Sequence, residues 1–220
     1  MEQNDLTVKP RRYDSSRRRQ QARQTRDDIL AAARTGFLAD GFAETTIAAI
    51  AAAAGVSVDT IYKTFGGKPG LVRAIHEQSL MGDGPVDAQT RSDALQTTES
   101  DPEEVMRGVG RLSAEVAPLV APILLLIRDA ATTDADMVAL RADLDDQRLR
   151  RMIHNAENLA NAGHLRDGMT VAEAAEIMWT YSSPELYELL VLVRHWSPQR
   201  YGSFIAESLG AHLIERRASL

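Results

Sequence analysis

Thr45-Thr46-Ile47-Ala48-Ala49-Ile50-Ala51-Ala52-Ala53-Ala54-Gly55-Val56-Ser57-Val58-Asp59-Thr60-Ile61-Tyr62-Lys63-Thr64-Phe65 is the stretch on which the fold turns. Ile47, Ile50, Ala51 and Ala54 recur at helical spacing, and Thr45 or Thr46 can accept a backbone N–H as N-cap, so a short helix is expected from about 46 to 53. Gly55 permits the chain to turn. Ser57 is placed to cap a second helix that carries Ile61 inward and ends near Phe65-Gly66-Gly67. Small residues where two helices cross, a glycine between them and a polar outward face form a helix-turn-helix, whose second helix fits the major groove of DNA. Val58, Asp59, Thr60, Tyr62 and Lys63 supply that face, and Thr46 and Lys68 stand at helix starts where side chains and N–H groups reach phosphates.

Outward from this stretch, glycine, proline and serine divide the chain into blocks of helical apolar spacing, with no sustained alternation of the kind a half-buried strand needs. The expected fold class is all-α, a three-helix N-terminal unit followed by a larger helical bundle, with about nine to ten helices. Ile29, Ala33 and Phe37 mark a first helix from about 25 to 39 that stops at Gly41, and Leu71, Val72 and Ile75 a fourth from about 68 to 80. Residues 82 to 100, rich in Gly, Pro, Asp, Thr and Ser, are expected to be a hinge or irregular connection. Asp101-Pro102-Glu103, Ser183-Pro184-Glu185 and Ser197-Pro198-Gln199 each place a capping side chain before proline at a helix's first position, fixing three helix starts. Pro118 and Pro122 are expected to divide one helix ending near 117 from another over about 122 to 131. Further helices are expected over about 134 to 162, 171 to 181, 184 to 194 and 198 to 216.

The net charge of −6 speaks against a polyanionic partner, but its distribution does not. Residues 1 to 26 hold eight basic side chains against three acidic ones, whereas residues 77 to 220 hold thirteen against twenty-three. The expected organisation is a flexible basic arm over 1–22, a DNA-binding unit over 23–80 with its motif at about 46–65, and a C-terminal unit over 81–220. Without cysteine, disulfides, thiolate zinc sites and cysteine nucleophiles are excluded, and a cytoplasmic location is expected. No membrane-spanning helix is expected, since the apolar run from 117 to 127 is short and carries two prolines.

Ile29-Leu30-Ala31-Ala32-Ala33, Phe37, Gly41-Phe42, Thr45-Thr46-Ile47, Ile50-Ala51, Ala54-Gly55-Val56-Ser57, Thr60-Ile61-Tyr62, Phe65, Lys68 and Leu71 together resemble the tetracycline-repressor-like (TetR) family over residues 26 to 71. Farther on, Ser183-Pro184-Glu185-Leu186-Tyr187 and Trp196-Ser197-Pro198-Gln199-Arg200-Tyr201 look like the last two helices of many members. The resemblance implies a homodimeric, ligand-responsive repressor of double-stranded operator DNA, near-palindromic in sequence, with a small-molecule effector in the C-terminal core. By position it implies Thr46, Ser57, Val58, Thr60, Tyr62, Lys63 and Lys68 as DNA contacts, with Tyr62 and Lys68 on phosphate. Asp59 faces the same way but is repelled by phosphates unless it meets cytosine or a basic neighbour. Thr64 stands where His or Tyr is common. Ser57 serves as a cap, with phosphate contact as an addition. Arg17, Arg18 and Arg19 either enter a minor groove or raise general affinity.

Met106, Leu126, Met152, Met178, Trp179 and Tyr181 are the residues expected to line an effector pocket, with ordinary core packing as the competing reading for each. The acidic C-terminal part hints at a cationic effector. Leu186, Leu190 and Val193, on a helix apolar almost all round, and Phe204, Ile205, Leu209 and Leu213 on the next form the expected dimer interface, against burial within one subunit. No Glu-x-x-His, His-Glu-x-x-His or phosphate-binding glycine loop occurs, so no enzyme, metal site or cofactor is expected. Gly108-Val109-Gly110 lies in a helical pattern and is read as a packing feature.

Overall fold

The computed structural model describes residues 15–82 and 86–215, and among these every regular element is a helix. Ten helices follow in order: α1 (Ser15–Glu44), α2 (Ile47–Ala53), α3 (Val58–Phe65), α4 (Lys68–Ser79), α5 (Ala88–Thr98), α6 (Pro102–Ala130), α7 (Ala135–Asn161), α8 (Val171–Tyr181), α9 (Pro184–Tyr187) and α10 (Pro198–Leu213). From Glu188 to Val193 the chain leaves α9 as a π-helical stretch.

Two expectations about α1 are corrected. It begins ten residues earlier than the apolar spacing indicates, so residues 15–22 of the expected flexible arm are helical; residues 1–14 lie outside the described residues. Its first three turns are polar and exposed, and the first buried side chain is Ile29, which is why periodicity gave no sign of them. Gly41 does interrupt the helix, with φ 84° and ψ 170°, a conformation closed to most L-residues.

Local capping sets the starts of most later helices. Asp101, Ser183 and Ser197 each accept a backbone N–H of the proline-led helix that follows, and Asp134 and Thr170 do the same for α7 and α8. Thr170 and Glu173 complete a reciprocal capping box. The expected irregular connection over 82–100 contains α5, capped by Asp87, whose side chain accepts from the Thr90 N–H at 2.8 Å. Polar composition hid this helix, which buries only Ala88 and Gln96.

The expected break at Pro118 and Pro122 does not occur, and α6 runs through both. An interior proline costs a helix about 3 kcal/mol. Against that, α6 buries Val105, Met106, Ala121, Ile123, Leu125 and Ile127 along its length, and Arg34 of α1 donates to the Leu119 carbonyl at 2.8 Å. Unbroken, α6 is also long and apolar enough to cross a membrane, by length and composition alone. Here it lies inside the bundle, packed on α1, α4, α5, α7, α9 and α10. Its closest partner is α10: a Cβ on Gly202 would stand 2.3 Å from the Gly110 carbonyl oxygen, so two bare backbones meet at this crossing.

Two apolar cores result. One joins Ile29, Phe37, Ile50, Ile61, Leu71 and Ile75 of α1–α4 to Ile123 and Ile127 of α6 and to Met137, Leu140 and Leu144 of α7. The other gathers residues of α6, α7, α8, α9 and α10, from Val105 to Ile214. The N-terminal unit therefore shares its core with the far end of α6, on which both α1 and α4 pack.

Candidate DNA-binding face and effector cavity

The α2–α3 pair is held by its caps and by one inward face. Thr46 accepts from the Ala49 N–H at 3.1 Å, and Ser57 from the Thr60 N–H at 3.1 Å. Gly66, left-handed at φ 77°, closes α3 and returns its N–H to the Tyr62 carbonyl. Ile61 is fully buried, and its burial fixes which side of α3 faces out. Val58 is 41% and Tyr62 53% exposed, and Asp59 and Lys63 stand beside them. Asp59 pairs with Lys63 at 2.7 Å one turn away, which answers the objection to a carboxylate on this face; so exposed a pair adds little stability. Thr60 is half-buried, with its hydroxyl 2.8 Å from that of Ser57, and Thr64 donates to the Thr60 carbonyl.

Lys68 is engaged differently from its expected phosphate role. Its ammonium donates to the carbonyls of Phe42 and, at 3.2 Å, Ala43 at the end of α1, and sits 4.4 Å from the centre of the Phe42 ring. It thus ties the start of α4 to the unsatisfied carbonyls of α1, as a cation at a helix C-terminus does. Arg17, Arg18 and Arg19 lie exposed on the first turns of α1. Arg26, one turn after Arg23, lies 4.8 Å from the centre of the Phe65 ring.

In the C-terminal half a cavity of about 280 Å³ opens between α4, α5, α6, α7, α8, α9 and α10. That is just below the range for small-molecule sites, roughly 300–1,000 Å³. Most of its wall is apolar, and its polar members are neutral side chains together with Arg148 and Arg151; no carboxylate lines it, which removes the basis for a cationic effector. His76 of α4 reaches the wall while only 7% exposed, and burial first, then the nearby Arg73 charge, pushes its imidazole down to about 4, so it is neutral at pH 7. Gln96 of α5, 1% exposed, donates to the Ser92 hydroxyl at 2.8 Å and to Asn155 Oδ1 at 3.3 Å. Tyr187 and Tyr201 meet edge to face at 5.4 Å, and burial pushes the Tyr201 phenol up to about 12.

Residues 29–75 match the family profile of "Bacterial regulatory proteins, tetR family". Over those residues the chain is similar to the N-terminal domain of that family. Solved structures extend the likeness in fold to nearly the whole chain. SmeT, the repressor of the Stenotrophomonas maltophilia multidrug efflux pump SmeDEF, is 20% identical with a TM-score of 0.64, over 90% of this chain and 95% of SmeT. A SmeT–triclosan complex gives 20% and 0.68 over 89% and 94%. A TetR-family regulator from Syntrophomonas wolfei gives 18% and 0.69 over 86% and 95%. Among curated proteins none matches the chain. The chain shares the fold of these structures, a helix-turn-helix followed by a helical body.

Against that fold, four of the six residues expected at the pocket, Met106, Met152, Met178 and Tyr181, line the cavity together. Leu126 and Trp179 do not. Leu126 points to the other side of α6, against the N-terminal core, and the Trp179 ring carries the Arg148 guanidinium at 4.3 Å, outside the cavity. Sequence reasoning missed His76, Gln96, Tyr187 and Tyr201; the one available signal was a histidine set beside Leu71, Val72 and Ile75 on an apolar helix. The expected dimer face is also corrected: Ile205, Leu209 and Leu213 are buried within the subunit, because α10 turns them toward α6. Leu186, Leu190 and Phe204 are half-buried against the same core, and Val193 is 60% exposed. The exposed apolar neighbours of Val193 are Leu189 and Leu192 on the π-helical stretch, from the helix that looked apolar all round.

Proposed function

We propose that this chain is a cytoplasmic transcriptional repressor that binds a near-palindromic operator as a homodimer and releases it when a small molecule enters the C-terminal cavity. The observation that carries the reading is the outward face of α3, where Val58, Asp59, Tyr62 and Lys63 are exposed while Ile61 anchors the helix from behind. On this reading residues 23–80 bind DNA, Val58 and Thr60 read bases, and Tyr62 and Thr46 meet phosphates, with Arg17, Arg18 and Arg19 on the flanking backbone. Residues 81–220 take the effector and pair the subunits, with Leu189, Leu192 and Val193 at the contact.

Ligand response follows from the position of α4. His76 and Leu80 stand at the cavity while Leu71, Val72 and Ile75 are locked into the helix-turn-helix core. A molecule that fits only when α4 shifts favours a second spacing of the two α3 helices, and by reciprocity DNA opposes its binding. The likeness to SmeT, an efflux-pump repressor also seen with triclosan, supports a small-molecule effector.

The test is titration of labelled duplex fragments at two salt concentrations. Binding is expected to weaken steeply as salt rises. Tyr62→Ala is expected to lower affinity about tenfold for every duplex, whereas Val58→Asn changes which sequence is preferred. Unchanged affinity and preference in both variants would show that α3 does not face DNA.

A further inference from the structure

Within the reading of the cavity as an effector site, its wall says which chemistry it accepts. Among the described residues five buried side-chain polar atoms have no hydrogen-bond partner, and three belong to residues of this wall: His76 Nδ1, Gln96 Oε1 and Arg148 Nε. Buried polar atoms are ordinarily paired, and leaving one bare costs about 1–3 kcal/mol. Gln96 Oε1 is an acceptor in want of a donor, and Arg148 Nε a donor in want of an acceptor. A hydroxyl supplies the donor that Gln96 Oε1 lacks.

Charge narrows the class further. A cation would lie among Arg148, Arg151 and apolar walls with no carboxylate to compensate it. Nor do the tyrosines form a cage for one. Tyr187 and Tyr201 meet edge to face at 81° rather than standing as facing walls, and Tyr181 meets Phe204 at 6.2 Å and His212 at 5.7 Å. An anion finds no uncompensated counter-ion either. Arg151 is held by both oxygens of Asp93, at 2.7 and 3.2 Å. Arg148 donates to the Trp179 carbonyl and, at 3.1 Å, to the Ser182 hydroxyl, and has Asp145 at 3.4 Å.

We propose that the cavity takes an uncharged apolar molecule bearing a hydroxyl, an alcohol or a phenol, whose O–H is received by Gln96 Oε1. Cations and carboxylates are rejected.

The experiment is calorimetric titration of the full chain with four compounds of one shape: para-butylphenol, butylbenzene, para-butylbenzoate and para-butylphenyl-trimethylammonium. The phenol is expected to bind about tenfold more tightly than each of the others, the difference one satisfied buried hydrogen bond makes. Gln96→Leu is expected to erase the advantage over butylbenzene and leave butylbenzene itself unchanged. His76→Leu, on another helix, gives a second reading should the first variant fold poorly, and is expected to cut the same advantage. Equal binding of phenol and butylbenzene, tighter binding of the ammonium or the benzoate, or binding of none of the four overturns the proposal. Duplex affinity of the same samples without added compound is measured in parallel. Loss of DNA binding with the phenol preference intact would break the regulatory reading alone, and the reverse would break only the ligand class.

Discussion

The N-terminal unit and the C-terminal body are built from the same kinds of helix, yet they differ in how far each segment's own sequence determines it. In α2–α3 the caps, the glycine turn and the apolar spacing agree over about twenty residues, and the exposed face follows once Ile61 is inside. In the body, caps still fix where helices start, but what those helices enclose depends on partners sixty to a hundred residues away. Arg151 of α7 holds Asp93 of α5, and Gly110 of α6 lies against Gly202 of α10. Local grammar thus specifies an exposed helix face, whereas the shape of a cavity is specified by long-range packing.

Breaking that packing gives the largest expected effect. Gly202→Val pushes a branched side chain into the Gly110 carbonyl and the Ala114 methyl, backbone and helix that have no room to retreat. A loss of more than about 3 kcal/mol is expected in chemical denaturation, at the upper end of overpacking costs. Because Ile123 and Ile127 of α6 lie in the N-terminal core, both halves are expected to unfold in one transition. A surviving separate transition of the N-terminal unit would show that the shared core does not couple them.

The second effect tests the helix between the halves. His76 titrates near 6.5 when unfolded and near 4 in the fold, so between those values the unfolded chain binds the extra proton. Stability is therefore complete above about pH 6.5 and falls as pH drops toward 4, by up to about 3 kcal/mol. His76→Leu is expected to flatten that part of the stability–pH curve. A curve of the same slope in the variant would assign the loss to other groups.

How much of the molecule the sequence discloses follows the same division. The helix-turn-helix, its caps and the proline-led helix starts are legible because each depends on neighbours within four residues. The continuity of α6 through Pro118 and Pro122 is not, since what outweighs the prolines is burial against helices distant in sequence. The first turns of α1 and the whole of α5 are hidden for the opposite reason, having almost no apolar face to mark them. The methionines of the cavity can be picked out as a residue type, but the polar groups that give it chemistry, Gln96 and His76 above all, lie in segments whose pattern says only loop or core.

Lys68 sharpens the comparison at the boundary of the two readings. In the structure it satisfies carbonyls of Phe42 and Ala43, so Lys68→Met is expected to cost about 1.5–3 kcal/mol of stability, the range for a hydrogen bond from a charged group. If the tether is its whole role, the dependence of DNA affinity on salt stays the same in the variant. A slope smaller by about one would show that the ammonium also neutralises a phosphate.

The smallest effect separates cap from contact at Ser57. Ser57→Ala removes the acceptor of the Thr60 N–H and is expected to cost about 1 kcal/mol. Ser57→Asp keeps an acceptor at the same place and favours the positive end of α3, so stability is expected to return to that of the parent. DNA affinity is expected to part from stability here. On the proposed reading a carboxylate at the start of α3 faces phosphates that the hydroxyl tolerates, and affinity should fall in Ser57→Asp though the fold is intact. If affinity instead recovers together with stability, Ser57 acts through the helix alone, and the phosphate-facing edge of α3 begins farther along, toward Tyr62.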